Sequence, residues 1–232
     1  FSRLFLGSLI KDEIEKVLYL DADTLVLGSL KELYDLNMED YVVAGVQDFY
    51  YSSLKDFGLK NKNIYLNTGV LLINFSEWIK LERKFHEYIE KLDDLDSIMH
   101  DQGIINAIVE DDKKLLTKPH YNVLESYIND VGKIKKLLDF YEALYRILYS
   151  DNLDDAYRNP IIVHDKFWAK NYNNKRFREK YEEYVLLSPF EHDEIFTNIK
   201  NKNRESTFKS QIFFITPEFL YPALRKLFRI IK

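Results

Sequence analysis

The sequence predicts an α/β protein, with a mixed, mostly parallel sheet flanked by helices. Three observations lead there. Short apolar runs at 17–20, 41–46, 70–73 and 161–163 are continuous rather than alternating, which suits strands covered on both faces. Segments with apolar residues at helical spacing lie between them. Polar residues gather where the apolar runs end, the place at which open α/β sheets bind ligands.

Taken in order, Val-Leu-Tyr-Leu at 17–20 reads as a strand in the middle of a parallel sheet, running into Asp21 and Asp23. If those residues keep the strand conformation, both carboxylates project to one side, because side chains alternate with period two. Gly28 and Ser29 break the run, and 30–36 reads as a short helix. Residues 41–46 form a second strand ending at Gln47 and Asp48. The polar and aromatic stretch 50–63 reads as a loop, after which Asn67-Thr68-Gly69 leads into a third strand at 70–73. Ser76 is a suitable N-cap for a helix over 77–92, with Trp78, Leu81, Phe85, Tyr88, Ile89 and Leu92 on one face. A helix over 101–109 carries Asp101 and Gln102 in its first turn. Residues 114–117 read as a weak strand and 133–149 as an amphipathic helix. Asn159-Pro160 introduces a short strand that delivers His164, and a helix over 176–187 stops before Ser188-Pro189.

At 232 residues the chain can bury one substantial core with a small appendage. The absence of cysteine excludes disulfides and thiolate metal sites. No apolar run approaches the roughly 20 residues that a membrane-spanning helix requires. The net charge of -5 is unevenly spread. Residues 191–232 hold eight Lys and Arg against five Asp and Glu, a net of +3, so 1–190 carries -8. An acidic body argues against nucleic acid as a partner, since that binding depends on neutralising phosphates.

The domain reading follows the charge: a catalytic domain over 1–190 and a basic tail over 191–232. In the tail, Leu224, Leu227, Phe228 and Ile231 follow helical spacing, while Arg225, Lys226, Arg229 and Lys232 supply positive charge. Such a helix suits an anionic membrane surface, or else packs its apolar stripe on the domain. The corresponding localisation is cytoplasmic, with peripheral docking at the inner face of the membrane under the first of these readings.

Two carboxylates with one imidazole form a hard and borderline ligand set suited to Mn²⁺ or Mg²⁺, leaving positions for phosphate oxygens. Singly, Asp21, Asp23, Asp48, Asn67, Asp101, Gln102 and His164 each have an ordinary reading as turn formers, caps or structural hydrogen-bonders. Their recurrence at strand ends and helix starts is what singles them out.

The blocks Tyr-Leu-Asp-Ala-Asp-Thr-Leu-Val (19–26), Asn-Thr-Gly-Val-Leu-Leu-Ile-Asn (67–74), Asp-Gln-Gly-Ile-Ile-Asn (101–106) and Ile-Ile-Val-His (161–164) occur in this order. Together with the leading Phe-Ser-Arg-Leu-Phe-Leu and the segment 181–190, they resemble family 8 glycosyltransferases of the GT-A fold. The resemblance implies transfer of a hexose, glucose or galactose, from a UDP-sugar to a hydroxyl of a glycan or lipid-linked acceptor, with retained anomeric configuration. It makes Asp21, Asp23 and His164 the metal ligands and Arg3, Ala22, Asp48, Asn67 and Lys166 donor-binding. Asp101 also holds the donor sugar, and Gln102 lies near the anomeric carbon.

This chain departs from the family pattern in two ways. His164-Asp165 runs directly into Lys166-Phe167-Trp168 without the family's glycine-containing spacer. The family's first strand, which carries the uridine-binding segment, precedes anything here. The expectation is therefore an N-terminally incomplete sheet, and an inactive chain if it starts at Phe1. Two other readings stay open. One is a degenerate sugar-binding relative without catalysis. The other is a haloacid-dehalogenase-like phosphatase, with Asp21 as nucleophile, Asp23 as acid/base and Glu110-Asp111-Asp112 as its late acidic cluster.

Overall fold

The computed structural model describes residues 2–10, 14–48, 64–91, 100–124, 153–165 and 175–189. The chain divides into two compact units, Phe1–Asp165 and Lys166–Lys232. In the first, four strands make one sheet in the order β1 (Lys16–Leu20), β4 (Leu66–Asn74), β3 (Val43–Gln47) and β5 (Lys114–Leu116). β2 (Thr24–Val26) and β6 (Ile162–His164) form a separate antiparallel pair, in which Thr24 lies opposite His164.

The sheet is mixed, as expected, but its described pairings differ in balance from a mostly parallel one. β4 runs antiparallel to both β1 and β3, and β3–β5 is the parallel pair. Consequently β1 is not a central parallel strand. Among the described residues it lies at the sheet's edge, and all five of its residues are only half-buried. Its continuous apolar run reflects partial cover on both faces rather than a central place.

β4 is the central strand, and its first eight residues are buried. Its side chains alternate between two cores, as strand geometry requires. Leu66, Leu71 and Ile73 pack with Trp78, Phe85, Ile104, Ile105 and Val109. These come from α3 (Phe75–Ile79), α4 (Glu82–Glu90), α5 (His100–Ile108) and the residue that follows it. Val70 and Leu72 face the other way, toward Leu33, Met38, Tyr121, Leu153 and Ile162. Leu33 lies on α2 (Lys31–Tyr34) and Leu153 on α6 (Leu153–Arg158). Near the N-terminus, α1 (Leu6–Leu9) follows a single helical turn at Ser2–Phe5. The sheet is thus a layer between two apolar cores, as in α/β folds.

The helix expected over 77–92 is two helices, α3 and α4, separated at Lys80-Leu81. Its N-cap is Asn74, whose side chain accepts from Glu77 N, rather than Ser76. β4 begins at Leu66, so Asn67, Thr68 and Gly69 lie within the strand. In the second unit α7 (Lys175–Leu186) matches the helix expected there. The expected helix over 133–149, the loop over 50–63 and the tail over 191–232 lie outside the described residues. No helix among the described residues is long and apolar enough to cross a membrane.

Candidate active site and metal centre

Three irregularities in the backbone build the site. The first follows β1. Asp21 N donates to Gly69 O at 2.8 Å, so the ladder with β4 continues to that point. Asp21 O then accepts from Thr24 N at 3.2 Å and from the Thr24 hydroxyl at 2.8 Å. Asp21 to Thr24 therefore form a turn and not a strand, and the expected period-two alternation does not bring the carboxylates together. The turn does so, leaving Ala22 exposed at its tip.

The second irregularity is in β4. Gly45 pairs with Leu71 and Gln47 with Leu66, so residues 67–70 of β4 face a single residue of β3. A bulge of this kind re-aims side chains. Here it frees Asn67, Thr68 and Gly69 from the ladder on that side. The Leu66 backbone is met instead by the buried Asn106 amide of α5, which accepts from Leu66 N at 2.7 Å and donates to Leu66 O at 2.8 Å. Asn106 thereby docks α5 against the bulge and brings Gln102 to Thr68.

The third is the close approach of β6. His164 sits over Gly69, where a Cβ would lie 2.0 Å from His164 Cε1 and 2.3 Å from Nδ1. Only glycine leaves room for the imidazole. His164 Nε2 is 3.1 Å from Asp23 Oδ1 and 3.8 Å from Asp21 Oδ2.

One donor atom from each of Asp21, Asp23 and His164 lies within 4.8 Å of the others. Two carboxylate oxygens and an imidazole nitrogen at that separation fit a hard divalent cation such as Mn²⁺ or Mg²⁺. The cradle at Gly69 points the same way, since it exists to admit the imidazole.

Around this cluster runs a connected polar shell. Arg3 pairs with Asp101 at 2.6 Å and with Asp21 at 3.1 Å, donates to Thr68 O, and lies 4.4 Å from the centroid of the Tyr19 ring. Its backbone oxygen accepts from Trp78 Nε1 at 3.1 Å. Arg3 is thus an internal clamp between the turn after β1 and the start of α5. Tyr19 donates to Asp21 Oδ1 at 2.7 Å. Burial, reinforced by that hydrogen bond, pushes its phenol up to about 12, so Tyr19 remains a donor at neutral pH. Gln102 Oε1 accepts from Thr68 N at 3.1 Å, while its Nε2 donates to Asp48 Oδ2 at 3.3 Å. Asn67 Nδ2 donates to the same oxygen at 3.0 Å.

The residues singled out from sequence thus fall in one place, with Lys166 alone outside the described residues. Those missed are Gly69 as cradle, Tyr19, Asn106 and Asn122. The last is fully buried and lies 3.1 Å, Oδ1 to Nδ1, from His164. Gly69, Tyr19 and Asn106 stood inside the motif blocks with nothing to mark their role; Asn122 carried no local signal, being a single amide near an apolar run. Asp111, of the acidic run weighed for a phosphatase, is tied to the buried Lys114 at 3.2 Å at the start of β5.

A mixed sheet between helices, with the Asp21, Asp23 and His164 cluster beside a bulged strand, defines an α/β fold with a candidate cation site. The chain belongs to glycosyl transferase family 8, whose family model matches residues 1–171. Its curated relatives include general stress protein A of Bacillus subtilis, 32% identical over 194 residues, or 80% of this chain and 64% of that protein. Another is the lipopolysaccharide 1,3-galactosyltransferase of Salmonella typhimurium, 29% identical over 147 residues, or 56% of this chain and 44% of that protein. The chain therefore spans less than two thirds of either relative. Among solved structures, galactosyltransferase LgtC in complex with donor and acceptor sugar analogues shares the fold with a TM-score of 0.60. That match, at 24% identity, covers 77% of this chain and 64% of that one.

Proposed function

We propose that this protein is a metal-dependent, retaining hexosyltransferase. On this reading it moves glucose or galactose from a UDP-sugar to a hydroxyl of a glycan or lipid-linked acceptor. The observation that supports it most is the convergence of Asp21, Asp23 and His164 beside Asp101 and Gln102. In this reading Asp21, Asp23 and His164 hold Mn²⁺ or Mg²⁺, which when bound supplies Lewis-acid neutralisation of the charge developing on the departing diphosphate. The chain's own residues position the sugar. Asp48 and Asn67 present polar groups from the bulge, and Asp101, oriented by Arg3, can order sugar hydroxyls. Gln102, its amide held between Thr68 and Asp48, stands near the anomeric carbon as a weakly nucleophilic oxygen. Ala22 at the turn tip offers backbone to the ribose, and the family resemblance assigns Lys166 to the donor's phosphate. The basic tail docks on an anionic membrane, which suits an acceptor in the cell envelope.

Calorimetry with UDP tests the reading, with and without Mn²⁺, followed by UDP release from UDP-glucose and UDP-galactose. Binding should require the cation. Asp23→Ala should abolish the cation-dependent part and leave the fold intact, since deleting one of two neighbouring acids relieves repulsion. Equal UDP affinity with and without chelator would sink the metal assignment. Binding without turnover of either sugar would favour a non-catalytic sugar-binding relative.

A further inference from the structure

We propose that Asn122 is a positioning residue that locks the tautomer of His164, and with it the lone pair offered beside Asp21 and Asp23. The inference rests on the metal reading of that cluster and extends it to a residue that touches neither cation nor sugar. The argument is one of hydrogen-bond polarity, passed along a chain of buried amides whose oxygen and nitrogen ends must be assigned from their partners.

The chain is anchored at Gly69. Its backbone N–H, which can only donate, lies 3.0 Å from Asn67 Oδ1. That fixes the oxygen end of the Asn67 amide and turns its nitrogen to Asp48 Oδ2 at 3.0 Å, an oxygen that also accepts from Gln102. Asn67 Oδ1 also meets Asn122 Nδ2 at 2.8 Å. A reversed Asn122 amide would set two carbonyl oxygens against each other at that distance. Asn122 Oδ1 therefore faces His164 Nδ1 at 3.1 Å. An oxygen there accepts, so Nδ1 must carry the hydrogen. In the neutral ring Nε2 is then bare and faces Asp23 and Asp21 at 3.1 and 3.8 Å.

The geometry leaves little freedom to escape this assignment. Asn122 is fully buried and Asn67 nearly so. The backbone sets their spacing from His164, because His164 N donates to Val123 O and Val123 N to Ile162 O, each at 3.0 Å. A histidine side chain free in water favours the opposite tautomer, with hydrogen on Nε2. That form would aim an N–H at the carboxylates and remove the ligand atom. A partner on the second nitrogen is the usual means of holding a metal-binding histidine in register.

Long-range proton–nitrogen correlation spectra of the ¹⁵N-labelled, metal-free 232-residue chain test the lock directly, with His164 identified by its loss in His164→Gln. At a pH where the ring is neutral, His164 should show hydrogen on Nδ1. Asn122→Asp keeps an acceptor toward Nδ1 but gives up the N–H donated to Asn67 Oδ1 at 2.8 Å, so it should keep that tautomer at a cost in stability. Asn122→Leu removes it; the ring should become a mixture, and Mn²⁺ affinity by calorimetry should fall by about 10- to 100-fold. An Nε2–H ring in the unaltered chain overturns the proposal. So does an Asn122→Leu variant that folds and keeps both tautomer and affinity. If that variant does not fold, Asn122→Asp decides, since loss of the Nδ1–H form despite a retained acceptor also overturns it. A locked tautomer in a chain that binds no Mn²⁺ would support the lock and defeat the metal reading, so the two fail separately.

Discussion

The smallest decisive feature is the missing side chain at Gly69. A methyl group there would sit within 2.3 Å of two imidazole atoms, closer than any packed contact allows. Since the strand around it is rigid, the mobile partner must move, and that partner is His164. Gly69→Ala should therefore weaken Mn²⁺-dependent UDP binding by about 10-fold or more while leaving the fold in place. Calorimetry beside a thermal melt checks this, and unchanged affinity would mean that His164 is no part of the site. Tyr19 gives a second test at this scale. Its folded pKa, about 12, lies above the ordinary value of 10.0, so the neutral phenol stabilises the fold. That contribution is complete below about pH 10 and is lost as pH rises through about 12. In Tyr19→Phe the alkaline loss of stability should be shallower in that window; superimposable melts of the two proteins would argue against a buried phenol.

Among the elements, α5 has the most exacting task, because both Asp101 and Gln102 stand in its first turn. Asn106 holds it to the bulge in β4, and the buried Lys114 closes its other end by donating to Asn106 O at 3.1 Å, where helix carbonyls lack partners. Asn106→Ala leaves the Leu66 N–H and C=O without that amide. It should cost about 1–3 kcal/mol in denaturant unfolding, the penalty for a buried polar group deprived of its bond. Turnover should fall further than stability alone explains, since Gln102 would lose its register with Thr68. Gln102→Ala should act differently, lowering kcat on the order of 100-fold while UDP affinity hardly changes, as expected for a group placed where charge develops. Asp101→Asn should reduce turnover and also relax the choice between glucose and galactose. Wild-type rates in both variants would reduce the first turn of α5 to a simple helix start.

For the unit Phe1–Asp165 as a whole, β4 is the shared wall of two cores, and a cavity on either side should be felt by both. Leu72→Ala removes a fully buried side chain from one face and should destabilise by about 2–5 kcal/mol in equilibrium unfolding. The loss should appear as one cooperative transition for that unit, because the opposite face hangs on the same strand. A separate early transition for the side of Trp78 and Phe85 would show that the cores are less coupled than the shared strand implies.

The sequence by itself determined the class of fold, strands over 17–20, 41–46 and 70–73, and the residues proposed for the site, while the start of the third strand at Leu66 came from the structure. Continuous apolar runs and helical spacing are local patterns, and the four motif blocks carry their own chemistry. Tertiary structure alone decided how those blocks meet. Asp21 and Asp23 converge because a turn closed by Thr24 gathers them, where strand periodicity would have sufficed on paper. β1 lies beside an antiparallel β4 because strand order depends on pairings between distant residues. The bulge that frees Asn67 to Gly69 is a mismatch between two strands, so neither strand states it alone. The same holds for the Asn106 amide at Leu66 and the Asn122 amide at His164, whose partners lie 40 or more positions away in the chain. Hydrogen-bond polarity and close packing are properties of pairs, and a linear pattern of single residues does not carry them.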